Sequence, residues 1–157
     1  MTALITPGTR VLPEWIDYNG HVMDGYYLVA FSDATEGVLA ALGFGPDYRD
    51  ATGWTIYTVE AHLTYRREVS LETNLSFATQ VIDFDGKRIH VVHDMVDADS
   101  GERLATAEEM FIHVNQSTGK VAPFPAEQAA RVAAMAAEHA DLERPPDVGR
   151  RIGIRRE

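Results

Sequence analysis

One long helical stripe is followed by a series of strand-like runs, and this imbalance limits what the chain can fold into. Tyr27, Phe31, Ala34, Val38 and Leu42 recur at helical spacing, with Ser32, Asp33 and Glu36 off the stripe. That pattern predicts about four helical turns, ended by Gly43 and Gly45-Pro46. Asp24 is the expected N-cap. Before the helix, Thr9-Arg10-Val11-Leu12 reads as a short strand stopped by Pro13. After it, a polar loop is expected from Pro46 to Gly53. Tyr57, Val59, Ala61, Leu63 and Tyr65 then alternate with Thr58, Glu60, His62, Thr64 and Arg66, the period of a half-exposed strand. Leu75–Asp83 and Arg88–Val96 are two more strand-like runs around an Asp85-Gly86 hairpin signal. Asp99-Ser100-Gly101 turns into a last long strand, Arg103–Asn115. A second helix is predicted over Ala126–His139. One internal helix cannot cover both faces of five strands. The economical fold is α+β, an antiparallel sheet wrapped around a central helix.

The 157 residues fit one domain, expected over 1–140, with a mobile tail over 141–157 that carries Arg144, Arg150, Arg151, Arg155 and Arg156. A formal net charge of -10 argues against general nucleic-acid binding and against attraction to anionic membranes. It leaves room for a local basic patch. The absence of cysteine excludes disulfides, thiolate catalysis and cysteine-ligated zinc. Met1–Pro7 lacks the basic segment and apolar run of a signal peptide, and no stretch approaches the ~20 apolar residues that span a bilayer. The expectation is a cytoplasmic protein.

Chemistry concentrates in Trp15-Ile16-Asp17-Tyr18-Asn19-Gly20-His21-Val22-Met23-Asp24. Asp17 lies in a polar loop that opens into the helix, whose free N–H groups and positive dipole end face the same region. A carboxylate beside N–H donors suits acyl hydrolysis: the carboxylate attacks or activates water, and the donors hold a developing oxyanion. The structural alternative for Asp17 is an Asx-turn residue. His21 either contacts the reacting oxygen or fixes the turn through a backbone carbonyl. Asn19 reads as a turn former that tolerates left-handed backbone, and Gly20 as a point of close backbone approach. Glu60 and His62, two apart on one strand, share a face. His90, His93, His113, Glu108 and Glu109 match no metal-ligand spacing.

The element order, with Asp17-Tyr18-Asn19-Gly20-His21 before the helix, resembles the hot-dog fold acyl-CoA thioesterases of the 4-hydroxybenzoyl-CoA thioesterase type. The likeness runs from about Val11 to Pro125 and includes Leu104–Val114 and Gly119–Pro125. Glu14–His21, Tyr57–His62 and Lys87–His90 are similar to the thioesterases associated with carnitine dehydrogenase, which are linked to betainyl-CoA. The resemblance implies a homodimer joined sheet edge to sheet edge, often doubled to a tetramer, with active sites at the subunit interface. It implies catalytic Asp17, assisted by His21, and an oxyanion-binding N–H among Gly20, Val22, Met23 and Asp24. Met23-Asp24 departs from the Asn that many members carry there. No cofactor or metal is implied, since CoA is part of the substrate.

A short polar acyl-CoA, betainyl-CoA first, is the expected substrate. Aromatic residues near the loop in sequence, Trp15, Tyr18 and Trp54 among them, suit a trimethylammonium group, since each ring face attracts such a cation by roughly 0.5–2 kcal/mol. Ordinary packing is the alternative for each. Glu60 suits the same cation. Arg66, Arg67, Lys87 and Arg88 suit CoA phosphates, or are exposed strand-end charges. The other readings are an aromatic or medium-chain acyl-CoA thioesterase and a non-catalytic module that binds acyl-CoA or a quaternary amine.

Overall fold

The computed structural model describes residues 2–154 and 156. Along the chain run β1 (Leu4–Arg10), a single 3-10 turn (Pro13–Trp15), α1 (Asp24–Leu42), α2 (Pro46–Thr52), β2 (Trp54–Tyr65), β3 (Asn74–Phe84), β4 (Arg88–Asp97), β5 (Arg103–Asn115) and α3 (Ala126–His139). The strands form one sheet in the order β1-β3-β4-β5-β2, every neighbouring pair antiparallel. The predicted α+β architecture is therefore present, with β1 and β2 as the two edges.

α1 lies on one face of this sheet. Phe31, Ala34, Val38 and Leu42 are fully buried, and Phe31 packs against Phe77 and His93 with centroids 5.5 and 6.3 Å apart. Strand residues alternate between faces. The registers Phe77↔Met95, Met95↔Ala105 and Ile89↔Phe111 align the buried set across β3, β4 and β5. α3 closes the far end, with Val132 in the same cluster as Val38, Leu42 and Phe111. No single helix among the described residues is long and apolar enough to cross a membrane.

Three local expectations are corrected. The first strand is Leu4–Arg10 rather than Thr9–Leu12. Pro7 is tolerated because β1 is an edge, where a missing N–H costs no ladder bond. Asp33 of α1 also pins this strand, accepting from the Thr9 N–H at 2.7 Å. The N-cap of α1 is Met23 without a side-chain cap; Asp24 is the first helical residue and accepts from the Gly25 N–H at 2.9 Å. The loop expected at Pro46–Gly53 contains α2, started by Pro46 at a position where its missing N–H is harmless.

The C-terminal segment, expected as a mobile tail, is laid along the sheet over residues 145–150. Pro145 is buried. Asp147 pairs with Arg66, and the Gly149 N–H donates to Glu108 at 2.8 Å. Arg155, one of the tail's basic residues, lies outside the described residues.

A polar chain is sealed beneath α1. Thr35 donates to Glu109 Oε2 at 3.3 Å, Glu109 stands 3.9 Å from His93 Nε2, and His93 Nδ1 shares a 2.8 Å hydrogen bond with Thr79. His93 Nε2 is buried without a hydrogen-bond partner. Burial pushes the Glu109 carboxyl up to about 7, partly countered by Thr35, and pushes His93 down to about 3. Both groups are thereby held neutral at mildly acidic pH.

Two predictions follow from this packing. A Cβ on Gly8 would stand 2.5 Å from Phe77 Cε2 and 3.0 Å from the Leu75 carbonyl oxygen, so Gly8→Ala forces the core to move. The expected loss is about 1–3 kcal/mol, read by denaturant unfolding. Folded Glu109 keeps its proton above the usual carboxyl range, so its contribution favours folding below about pH 4.5 and is lost as pH rises to about 7. For His93 the contribution is present above about pH 6.5 and is lost as pH falls toward about 3. Glu109→Gln should therefore lose less stability than wild type between pH 5 and 8, a difference on the order of 2–3 kcal/mol. Parallel curves for the two proteins over that range would refute the assignment.

Candidate active site

The Asp17 loop is closed by a single antiparallel bridge between Ile16 and Val22. Inside it the Asp17 N–H donates to the His21 carbonyl and the Gly20 N–H to the Asp17 carbonyl, both at 3.0 Å. The Asn19 N–H donates to Asp17 Oδ1 at 2.7 Å, which is the Asx turn. Gly20 has φ +83°, a left-handed backbone that a Cβ disfavours. Asp17 is half-buried. Its Oδ2 has no hydrogen-bond partner among the described residues, so the turn engages one carboxylate oxygen and leaves the other available.

The loop is fastened from both sides. The Val22 N–H donates to the Val69 carbonyl at 2.9 Å and the Met23 N–H to the Trp15 carbonyl at 2.8 Å. Trp15 is buried and stacks on Tyr26, centroids 5.7 Å apart with a 14° interplanar angle. The amides of Gly20, Val22 and Met23 are thus committed within the protein. Those of His21 and Asp24 have no acceptor among the described residues, and Asp24 is the first residue of α1. Within Gly20–Asp24, the unengaged N–H groups among the described residues are therefore those of His21 and Asp24.

His21 Nε2 faces Glu68 Oε2 at 3.4 Å, on a partly exposed surface. It neither bonds Asp17 nor caps a backbone carbonyl. Tyr18 is 97% exposed, and Met23 is exposed as well.

Beside the start of α1 lies an open cavity of about 330 Å³, walled by Val22, Asp24, Tyr27, Tyr65, Arg67 and Glu68. Tyr27 and Tyr65 meet edge to face at 5.0 Å. Their hydroxyls donate to the Arg67 and Asp24 carbonyls at 3.0 and 3.3 Å. Burial pushes both phenols above their ordinary range, so they stay neutral donors. Asp17 does not line this cavity; it sits one loop away, where the Ile16–Val22 bridge leads into the wall. Tyr65 and Glu68 were not singled out by sequence. Tyr65 closes an alternating strand run, which was the available signal.

Several predicted residues are not brought to this region within one chain. Trp54 opens β2 at the far end from Tyr65 and stacks on His113 at 5.1 Å. Lys87 and Arg88 are at that same far end, since the His113 N–H donates to the Lys87 carbonyl and Arg88 pairs with Asp85. Glu60 points to the sheet face away from α1, beside His62, His90 and Glu108. Glu60 and His62 share this outer face, as their two-residue spacing on one strand predicts. Arg66 and Arg67 do border the cavity, paired with Asp147 and Glu102. No cluster of three or more metal-binding side chains occurs among the described residues.

Against known proteins, residues 11–132 match the family model described as the thioesterase-like superfamily. The chain belongs to that family, and its fold is the hot-dog fold. It is 42% identical over 151 residues to the betainyl-CoA thioesterase of Pseudomonas aeruginosa, covering 96% of this chain and 95% of that one. It is 39% identical over 148 residues to an L-carnitine dehydrogenase/betainyl-CoA thioesterase of Rhizobium meliloti, covering 94% of this chain and 30% of that longer protein. A hypothetical protein from Staphylococcus aureus, solved in complex with CoA, superimposes with a TM-score of 0.88 at 28% identity, covering 99% and 98% of the two chains. The chain is a thioester hydrolase of this family.

The loop geometry makes a prediction of its own. No atom lies within 4 Å of a Cβ built on Gly20, so any cost of substitution there comes from the backbone. Gly20→Ala should cost about 1 kcal/mol and lower thioester turnover, whereas Gly20→Asn should retain more of both, since Asn tolerates this conformation. Thermal unfolding and turnover on the same preparations check the ranking.

Proposed function

We propose that the chain hydrolyses betainyl-CoA to betaine and CoA, with Asp17 as the catalytic carboxylate. The observation that carries this reading is the half-buried Asp17, with one oxygen held by the Asn19 N–H and the other unengaged, directly ahead of the uncommitted Asp24 amide. Asp17 either takes a proton from water or attacks the thioester carbonyl itself. The carbonyl oxygen gains charge, which an N–H at His21 or Asp24 stabilises. The C–S bond breaks, CoA leaves as the thiol, and the elements of water are divided between acid and thiol. No cofactor enters this scheme. The 42% identity to the Pseudomonas aeruginosa enzyme supports the acyl group, and a CoA thioester substrate fits a cytoplasmic setting.

Assembly as a homodimer or as a dimer of dimers belongs to the same reading. β2 is a 12-residue edge strand that exposes Tyr57, Val59 and Tyr65. An edge of that length invites pairing with another chain. Antiparallel pairing of two β2 edges would carry the partner subunit's Trp54, Lys87 and Arg88 toward the Tyr65 end of the first. The aromatic and basic residues remote from Asp17 in one chain would then reach the site across the interface.

The test is thiol release from betainyl-CoA, acetyl-CoA, octanoyl-CoA and 4-hydroxybenzoyl-CoA by wild type and Asp17→Asn. Betainyl-CoA should be preferred, and the substitution should lower turnover by about 10²–10⁴-fold, the usual range for a lost general base. Preference for a neutral acyl group would discard the cationic pocket and keep the hydrolase. Binding without turnover would turn the reading into a CoA-ester binding module.

A further inference from the structure

The chemistry of a betainyl group limits where its charge can sit, because the quaternary nitrogen is only two bonds from the reacting carbonyl carbon. A subsite for the cation must therefore adjoin the N–H that meets the carbonyl oxygen. Glu60 and Trp54 do not meet this condition within one chain, since Glu60 is on the outer sheet face and Trp54 stacks on His113 at the far end of β2. Asp24 does meet it: its N–H is unengaged among the described residues, and it walls the open cavity of about 330 Å³ beside α1. The cations and anions of that wall differ in how far they are compensated. Arg66 is paired with Asp147 and Arg67 with Glu102. The Asp24 carboxylate has no cationic partner among the described residues; it accepts from the Gly25 N–H at 2.9 Å. Glu68 faces only His21 Nε2, at 3.4 Å, which is charged only when protonated. Two carboxylates are thus left without an arginine or lysine in a cavity whose two arginines are already neutralised. Tyr27 and Tyr65 stand on the same wall. Their hydroxyls are engaged by the Arg67 and Asp24 carbonyls, and Tyr65 is 50% exposed, so its ring is the aromatic surface available to an occupant.

We propose that Asp24 and Glu68, with the ring of Tyr65, form the subsite for the quaternary ammonium of the acyl group and so make the site selective for a cationic thioester. The proposal rests on the acyl-CoA reading above and names the residues that choose the acyl group. A quaternary ammonium has no N–H to donate, so charge and a ring face are the means by which a protein can recognise it. Both carboxylates act close to the rings: after burial, the charge of Asp24 raises the Tyr65 phenol, and Glu68 adds a smaller part to the rise at Tyr27. The same carboxylates also select against a neutral ester. With a neutral acyl group they stand uncompensated beside the oxygen that gains negative charge, whereas the cation of a betainyl group offsets them. The resemblance drawn from sequence fits this division of labour. Many members of the family carry Asn where this chain has Asp24, and that exchange adds one negative charge at the residue whose N–H is unengaged.

The experiment compares betainyl-CoA with 3,3-dimethylbutyryl-CoA, in which a carbon replaces the quaternary nitrogen and the shape is kept. Turnover and calorimetric binding of both esters are measured for wild type, Asp24→Asn, Glu68→Gln and the double variant. Wild type should favour the cationic ester in kcat/KM. That preference should fall about three- to tenfold for each carboxylate removed, the scale of a partly exposed ion pair, and further in the double variant. The ratio of the two esters is the readout, because the CoA moiety is common to both and a general weakening cancels. An equal loss with both esters would mark a structural role, such as Asp24 serving the helix dipole, and overturns the proposal. So does a preference unchanged within about 1.5-fold in all three variants, or a wild type that turns over the neutral ester as well as the cationic one; in either case the hydrolase reading stands. A wild type that binds both esters and hydrolyses neither defeats the hydrolase reading, and the ratio of affinities then decides the subsite by the same criteria. A wild type that binds neither ester overturns both.

Discussion

The packing of α1 against a single sheet face organises this molecule. Phe31, Ala34, Val38 and Leu42 place one buried side on Phe77, Ile89, Val91 and Phe111, drawn from three strands. Burying a side chain of this size contributes roughly 1.5–3 kcal/mol each, so the helix seam dominates the core. The consequence for function is positional. Once the seam is fixed, the first turn of α1 has one place to be, and the Asp17 loop must end there. The Val69 and Trp15 carbonyls then hold the loop against the helix start by engaging the Val22 and Met23 amides. The geometry of the loop is thus set by core packing, with few bonds made by the Asp17 and His21 side chains themselves.

The same seam explains why a polar chain is tolerated under the helix. Thr35, Glu109, His93 and Thr79 are placed inward by the strand alternation and by one helical position. An ionised pair there would carry a desolvation cost that its attraction would not reliably offset. The structure resolves this by keeping both groups uncharged, with burial raising the acid and lowering the base.

Much of the architecture was legible because it rests on periodicity. Leu42 and Gly43 mark the end of α1, and the bounds of α3 follow from its amphipathic stripe. What escaped notice depends on contacts across the chain. Whether Pro46–Thr52 coils depends on Pro46 at a helix start and on Tyr48 reaching His113 at 2.8 Å. The strap over 145–150 has a composition typical of a free tail, and only Arg66 and Glu108, distant in sequence, tie it down. The Asp17 motif itself was readable as a turn next to a helix. Which amides remain unengaged was not, because Val69 lies 47 residues beyond Val22 in the chain.

The charge distribution carries the remaining argument. A chain with a formal net charge of -10 is a poor general host for a polyanionic ligand. Screening limits that repulsion to about 8 Å at physiological salt, so what matters is the sign of the charges along the ligand's path. Near the α1 N-terminus those are Arg66 and Arg67, each tied to a carboxylate, together with Asp24 and Glu68 on the same cavity wall. An ion pair at a partly exposed surface contributes little to stability. Its value here is orientational. Arg67 keeps 64% of its side chain exposed while Glu102 holds it, so on the proposed reading an incoming phosphate would meet a guanidinium already in position and have less side-chain entropy to remove.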